Sequence, residues 1–222
     1  MKTSKILITS RPSGSPGRCS GVNKQGCLIA LEGLDGVGKT TQARRLAAAL
    51  QACSQRVVLT HEPTEGCYGQ QLRQLLRQGR QALSPTQELA LFTADRRQHV
   101  SQVILPHLNA GDVVITDRYY YSSMAYQGAR GLEVLEIQRQ NEDFAPIPNL
   151  VVILTLPLDQ ILERLACRGS HAWDAYEQAD YLVRVAEIYD RLSGPQVVRL
   201  DTQRPPETVH QNLMSLVWPL IQ

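Results

Sequence analysis

The chain has 222 residues, 43% of them apolar, and a formal net charge of +2. That length suffices for one large domain with a sizeable core, and so small a charge excludes a bulk electrostatic case for nucleic acid or a membrane surface. The five cysteines (Cys19, Cys27, Cys53, Cys67, Cys167) are odd in number and lack C-x-x-C spacing, which argues against a disulfide framework or a zinc site and fits a reducing compartment such as the cytoplasm.

Residues 1–26 contain Ser, Arg, Lys, Gly and Pro but no Asp or Glu. Such a stretch reads as a disordered extension, with organelle targeting by a transit peptide as the alternative. Lys5-Ile6-Leu7-Ile8-Thr9 is too short an apolar run for a secretory signal, and no run in the chain reaches membrane-spanning length. Residues 27–222 are expected to form a single domain.

Cys27-Leu28-Ile29-Ala30-Leu31 reads as a buried strand. Gly33-Leu34-Asp35-Gly36-Val37-Gly38-Lys39-Thr40 follows, then Thr41, and fits the phosphate-binding pattern G-x-x-x-x-G-K-[ST]. Behind it, Gln42 to Leu50 is rich in helix formers. Strand, glycine loop and helix are the context the motif needs. The glycines let backbone N–H groups turn inward onto phosphate oxygens, and the helix N-terminus adds partial positive charge there. Lys39 reaches the β- and γ-phosphates of a nucleotide, and the Thr40 hydroxyl can ligate Mg²⁺.

Arg56 to Thr60 reads as a second strand, with the loop His61-Glu62-Pro63-Thr64-Glu65-Gly66 at its carboxyl end, where open α/β sheets bind ligands. Tyr68 to Gln78 is a predicted helix ending near Gly79. Ser84-Pro85-Thr86-Gln87 starts another, with Ser84 as N-cap and Gln87 closing a capping box. That helix should run towards Leu108, with Pro106 ending or kinking it. Asp112 to Thr116 is the third strand. Asp117 at its carboxyl end is the expected metal partner in a P-loop protein. Leu150–Leu156 and Val197–Leu200 are further strands, and Asp159–Arg168, Glu177–Leu192 and Pro206–Leu220 further helices. The alternation predicts an α/β P-loop kinase fold with a five-stranded parallel sheet flanked by helices and a short lid. An Asn-Lys-x-Asp base reader for GTP is missing, since Asn23-Lys24 precedes the P-loop and continues Gln25-Gly26.

The P-loop, then Glu62-Pro63, then Phe92-x-x-x-Arg96, then Asp117-Arg118-Tyr119-x-x-Ser122-Ser123-x-Ala125-Tyr126-Gln127-Gly128, resemble the bacterial type of the thymidylate kinase family in order and spacing from Gly26 to the C-terminus. The Asp-Arg-Tyr to Ala-Tyr-Gln block is its most specific part. The resemblance implies transfer of a phosphoryl group from ATP to dTMP with Mg²⁺, in a homodimer packed through helices. ATP would lie on Gly33 to Thr41, and Mg²⁺ on Thr40 and Asp117. Asp35 would contact the sugar hydroxyl and help position arginines. Tyr126 would pack under the deoxyribose, leaving no room for a 2′-hydroxyl. Ser123 and Gln127 would lie near the thymine edge, and Glu62 would border the substrate before a cis Pro63. Arg118, with its fork beside Asp117, suits an acceptor phosphate. Phe92 and Arg96 share one helix face and would offer a ring to the base and a guanidinium to the nucleotide. Arg96 and Arg118 are together expected to hold the dTMP phosphate, with Lys39, Arg118, Arg168 and Asp35 carrying catalysis.

Two departures stand out. The family's loop after the second strand reads Arg-Glu-Pro-Gly-Gly-Thr. Here His61 replaces the Arg, and Thr64-Glu65 replace the glycines, predicting a stiffer and less basic loop. The family's lid reads roughly Arg-x-Arg-x-Arg-Gly then Asp-Arg-x-Glu, and this chain has alanine at two of those arginine positions, Ala166 and Ala175. Arg168 is the best remaining lid cation, with Arg164 and Arg184 in reserve and His171 contributing below about pH 6.5. A depleted lid leaves open a degenerate nucleotide binder with weak or no kinase activity. A kinase for another nucleoside monophosphate is the third reading.

Overall fold

The computed structural model describes residues 26–77, 83–167 and 175–222. The expected N-terminal extension before Gly26 and the helix end expected near Gly79 lie outside the described residues.

Five parallel strands run in the order β2-β3-β1-β4-β5. They are β1 (Cys27–Glu32), β2 (Val57–His61), β3 (Val113–Asp117), β4 (Leu150–Thr155) and β5 (Val197–Asp201). The expected parallel α/β sheet is therefore present. β1 is central and buried along its whole length, which is why it reads as a continuous apolar run instead of an alternating one. The register sets Leu31 and His61 opposite Asp117 and Glu32 opposite Ile153, so the carboxyl ends of four strands meet at one edge.

The helices are α1 (Lys39–Ala52), α2 (Cys67–Arg77), α3 (Pro85–His99), α4 (Leu105–Asn109), α5 (Tyr120–Gly128), α6 (Val134–Glu142), α7 (Leu158–Ala166), α8 (Ala175–Arg191) and α9 (Pro206–Val217). Two P-loop glycines have no substitute. Gly33 sits at φ +125°, where a Cβ would come within 2.4 Å of the Leu154 carbonyl oxygen. Gly38 adopts a left-handed φ of 101° at the N-cap of α1, which L side chains rarely take. Ser84 caps α3 through the expected capping box with Gln87.

Pro106 does not end its helix. The chain widens into a π-helical stretch, Val100–Ile104, and continues as α4. Proline lacks an N–H and its ring clashes with the carbonyl four residues back; a wider turn moves that carbonyl aside. The sequence also concealed α5 and α6. α5 is buried on nearly all sides, so it has no amphipathic period to read.

Candidate active site

Lys39 is buried. Its Nζ donates to the carbonyls of Gly33 at 3.0 Å and Leu34 at 2.7 Å. Burial and the Arg118 cation push its pKa down from 10.5 to about 8, against the pull of Asp35, Asp117 and Glu32. It therefore remains a cation at neutral pH. On the next residue, Thr40 Oγ1 donates to Asp117 Oδ2. A cavity of about 520 Å³ opens over these groups, and His61, Glu62, Asp35 and Arg118 also border it.

Arg118 follows the end of β3 at a φ of 76°, a conformation uncommon outside glycine that concentrates at functional sites. Its backbone is held on both sides: its N–H donates to the Leu31 carbonyl at 2.9 Å, and its own carbonyl accepts from Thr116 Oγ1 at 2.7 Å. The guanidinium is oriented as firmly. Nη2 donates to Asp35 Oδ1 at 2.7 Å, Nη1 donates to Ser122 Oγ at 2.8 Å, and the group lies 5.0 Å from the Tyr126 ring centroid.

A second cavity, about 200 Å³, is bordered by Phe92, Arg96, Ser123, Tyr126 and Gln127. Asp35, Glu62 and Arg118 border both cavities. Gln127 is buried, and neither amide atom has a protein partner. A buried carboxamide left unpaired is costly, and this one borders a cavity where a ligand edge could satisfy both its atoms. The peptide bond between Glu62 and Pro63 is cis.

Arg96 departs from its expected part. It is 1% exposed. Nε donates to Glu62 Oε2 at 2.8 Å, Nη1 to Asn141 Oδ1 at 2.7 Å and Nη2 to Ser123 Oγ at 3.1 Å. Glu62 already neutralises it, and its neighbours Ser123 and Asn141 are neutral. It shares the second cavity's wall with Phe92 and is not an uncommitted counter-charge for a phosphate.

A thymidylate kinase family model matches residues 31–213. A thymidylate kinase of Desulfotalea psychrophila is 38% identical over 200 residues, covering 90% of this chain and 98% of that protein. The chain belongs to the thymidylate kinase family. Other members similar to it include a thymidylate kinase of Xanthomonas euvesicatoria, 43% identical over 192 residues (86% of this chain, 83% of that one). One from Akkermansia muciniphila is 41% identical over 186 residues (84% and 88%).

In this thymidylate kinase family member the lid cation expected first, Arg168, and His171 lie outside the described residues. Arg164, held in reserve, donates from Nη1 to the P-loop carbonyl of Gly36 at 3.1 Å. Arg184 instead donates to the Ala129 carbonyl at 3.3 Å, at the end of α5. The altered loop is tied by its new residue: Thr64 Oγ1 donates to Asp95 Oδ1 at 2.6 Å and accepts from the Gly66 N–H at 3.0 Å. A glycine there has no hydroxyl to make these bonds.

Several supporting residues escaped the sequence reading. Asn141 orients Arg96. His99 Nδ1 lies 3.0 Å from Glu62 Oε1, and its Nε2 lies 2.7 Å from Thr60 Oγ1. Tyr181 on α8 donates to the Tyr126 carbonyl at 2.9 Å. Glu32 sits fully buried behind Arg118. Glu32 alone carried a signal: a carboxylate ending an otherwise apolar strand, next to a P-loop.

Proposed function

We propose that the chain transfers the γ-phosphoryl group of ATP to the phosphate of dTMP, giving ADP and dTDP. The sharing of Asp35, Glu62 and Arg118 between a P-loop cavity and a cavity walled by aromatic and amide groups carries this reading. Such sharing suits two nucleotides meeting end to end at their phosphates.

The P-loop N–H groups and Lys39 hold the ATP phosphates. Arg118 grips the acceptor phosphate, its fork already aimed by Asp35 and Ser122. Phe92 offers a ring face to the base. Gln127 offers a donor and an acceptor together, which complements an edge that also presents both, as thymine does. Tyr126 closes against the sugar. No general base is needed, because the acceptor phosphate is already an anion; positioning and preorganised charge lower the barrier.

The donor set near the phosphates fits Mg²⁺. Thr40 and Asp117 supply hard oxygens within hydrogen-bonding reach of each other. No group of three or more His, Cys, Asp or Glu converges among the described residues. An ion that keeps several waters and takes phosphate oxygens is suited to such a sparse set. When bound, Mg²⁺ would neutralise charge on the β- and γ-oxygens.

The deciding assay couples ADP release to dTMP, dUMP, UMP and dCMP in turn. Preferred turnover of dTMP is expected. Turnover of another acceptor would refute the reading of Tyr126 and Gln127, and binding without turnover would leave a nucleotide-binding relative. Arg164→Ala should lower kcat by on the order of 10², the typical loss on removing one preorganised donor from a site of developing charge. An unchanged kcat would assign that charge to residues 168–174.

We also infer a homodimer in the cytoplasm. An apolar groove of about 480 Å³ along α3 and α6, bordered by Leu89, Ala90, Ala94 and Ile137, is the face a second copy would cover. No helix among the described residues is long and apolar enough to cross a membrane. Sedimentation at the mass of one chain would remove the dimer.

A further inference from the structure

Behind Arg118 lies a buried carboxylate that the transfer mechanism does not use. Glu32 ends β1, directly before the first P-loop glycine, and is 0% exposed. Its Oε1 accepts the Tyr119 N–H at 2.7 Å. Its Oε2 accepts from Ser122 Oγ at 2.6 Å and from Tyr189 OH at 3.1 Å. Ser122 Oγ in turn accepts from Arg118 Nη1 at 2.8 Å. A continuous chain of hydrogen bonds therefore runs from the carboxylate through one hydroxyl to the guanidinium.

The contacts of Glu32 all fall on parts that fix Arg118. Tyr119 is the N-cap of α5, so its N–H has no acceptor within the helix. Glu32 captures that N–H and so holds the turn. Ser122 is on α5 and sets the Nη1 edge of the fork. Tyr189 is on α8, and its hydroxyl also lies 3.0 Å from Ser122 Oγ. The carboxylate thus ties β1, the turn at Arg118, α5 and α8 together. Burying a charge without good pairing costs several kcal/mol, and an apolar residue here would fill the space at no such cost. It would leave the Tyr119 N–H without an acceptor and give Ser122 no fixed direction.

We propose that Glu32 is a positioning residue for the reaction, holding Arg118 through Ser122 and through the Tyr119 N–H in the orientation that grips the acceptor phosphate. Asp35 fixes the other edge, at Nη2. The two carboxylates divide the work. Asp35 is solvent-exposed and borders both cavities; Glu32 is sealed and touches neither. Burial, the largest influence, raises the Glu32 carboxyl above its ordinary value although Ser122, Arg118, the Tyr119 N–H and Tyr189 pull it down. Those same contacts give the charged form its partners.

This inference rests on the reading of Arg118 as the acceptor-phosphate residue. Its test is a double-mutant cycle on the full chain, read by equilibrium titration with dTMP and separately with ATP. Glu32→Gln keeps size and one acceptor but removes the charge. It should weaken dTMP about tenfold and leave ATP affinity within about twofold, a coupling within the range seen between residues in one hydrogen-bonded network. In an Arg118→Ala background the same change should cost no further dTMP affinity. Should Glu32→Gln fail to fold, Ser122→Ala breaks the same relay from a less buried position and carries the same expectations. Additive losses, or equal losses for dTMP and ATP, would overturn the positioning role and leave a merely structural carboxylate. A wild-type chain that neither binds nor phosphorylates dTMP would overturn the reading of the site itself, and this inference with it. Wild-type turnover with an additive cycle overturns this inference alone.

Discussion

Arg118→Ala should lower kcat/KM for dTMP by about 10²–10³-fold, the usual loss on removing one preorganised donor from a site of reacting charge. Among the described residues that border both cavities, Arg118 is the one cation, which puts it between donor and acceptor. The fold should survive. Alanine keeps the backbone bonds that Arg118 makes to Leu31 and Thr116. Its released partner Asp35 has a side chain 58% exposed, so that carboxylate passes to water. Arg118→Lys separates charge from shape. A lysine restores a point charge but cannot make the two-edged contact set by Asp35 and Ser122, so it should recover only part of the loss. Steady-state kinetics on both variants, with thermal unfolding as control, checks this. Near-normal kcat/KM in Arg118→Ala would remove Arg118 from the reaction.

What was legible in the sequence was local. The P-loop states its chemistry in consecutive residues, and the buried strands state theirs as apolar runs. The capping box from Ser84 to Gln87 is likewise a signal within four consecutive residues. What was concealed depends on distant pairing. Arg96 reads as a solvated or substrate-facing cation until Glu62, 34 residues away, is placed against it. Glu32 and Tyr189 are 157 residues apart yet share a hydrogen bond, and no spacing rule connects them. α5 escaped for another reason: Tyr120, Tyr121 and Ser123 are modest helix formers, and the helix is stabilised by burial on nearly every side. The lid shows the limit of reading by position. Counting along the family pattern favours Arg168, which lies outside the described residues; among the described ones, Arg164 reaches the P-loop at the Gly36 carbonyl.

Glu62→Ala should destabilise the protein by about 3–5 kcal/mol, the usual cost of removing one partner from a buried ion pair. Arg96 Nη2 lies 2.7 Å from Glu62 Oε2, and both side chains are at most 3% exposed. Arginine cannot shed its proton, so the guanidinium would be stranded as a buried charge with only neutral acceptors, Asn141 and Ser123. For a chain of this size the loss corresponds to a fall in Tm of roughly 10 °C. Arg96→Met should cost less of its electrostatic share, because a stranded carboxyl can take up a proton. Glu62→Gln/Arg96→Met should be more stable than Glu62→Ala, since it removes both charges together. The acid limb gives an independent check. Burial pushes the Glu62 carboxyl up, but Arg96 and His99 outweigh it and hold it below its ordinary value of 4.5. A carboxyl depressed in the folded state contributes stability that is complete above its unfolded pKa and lost as pH falls through the folded one. Wild type should therefore lose stability on acidification below about pH 4.5, and Glu62→Gln should lose less over that window. Tm measured against pH for both proteins decides the matter. Parallel acid limbs, or a Glu62→Ala Tm within about 2 °C of wild type, would mean that the Glu62–Arg96 pair does not hold the floor of the acceptor cavity.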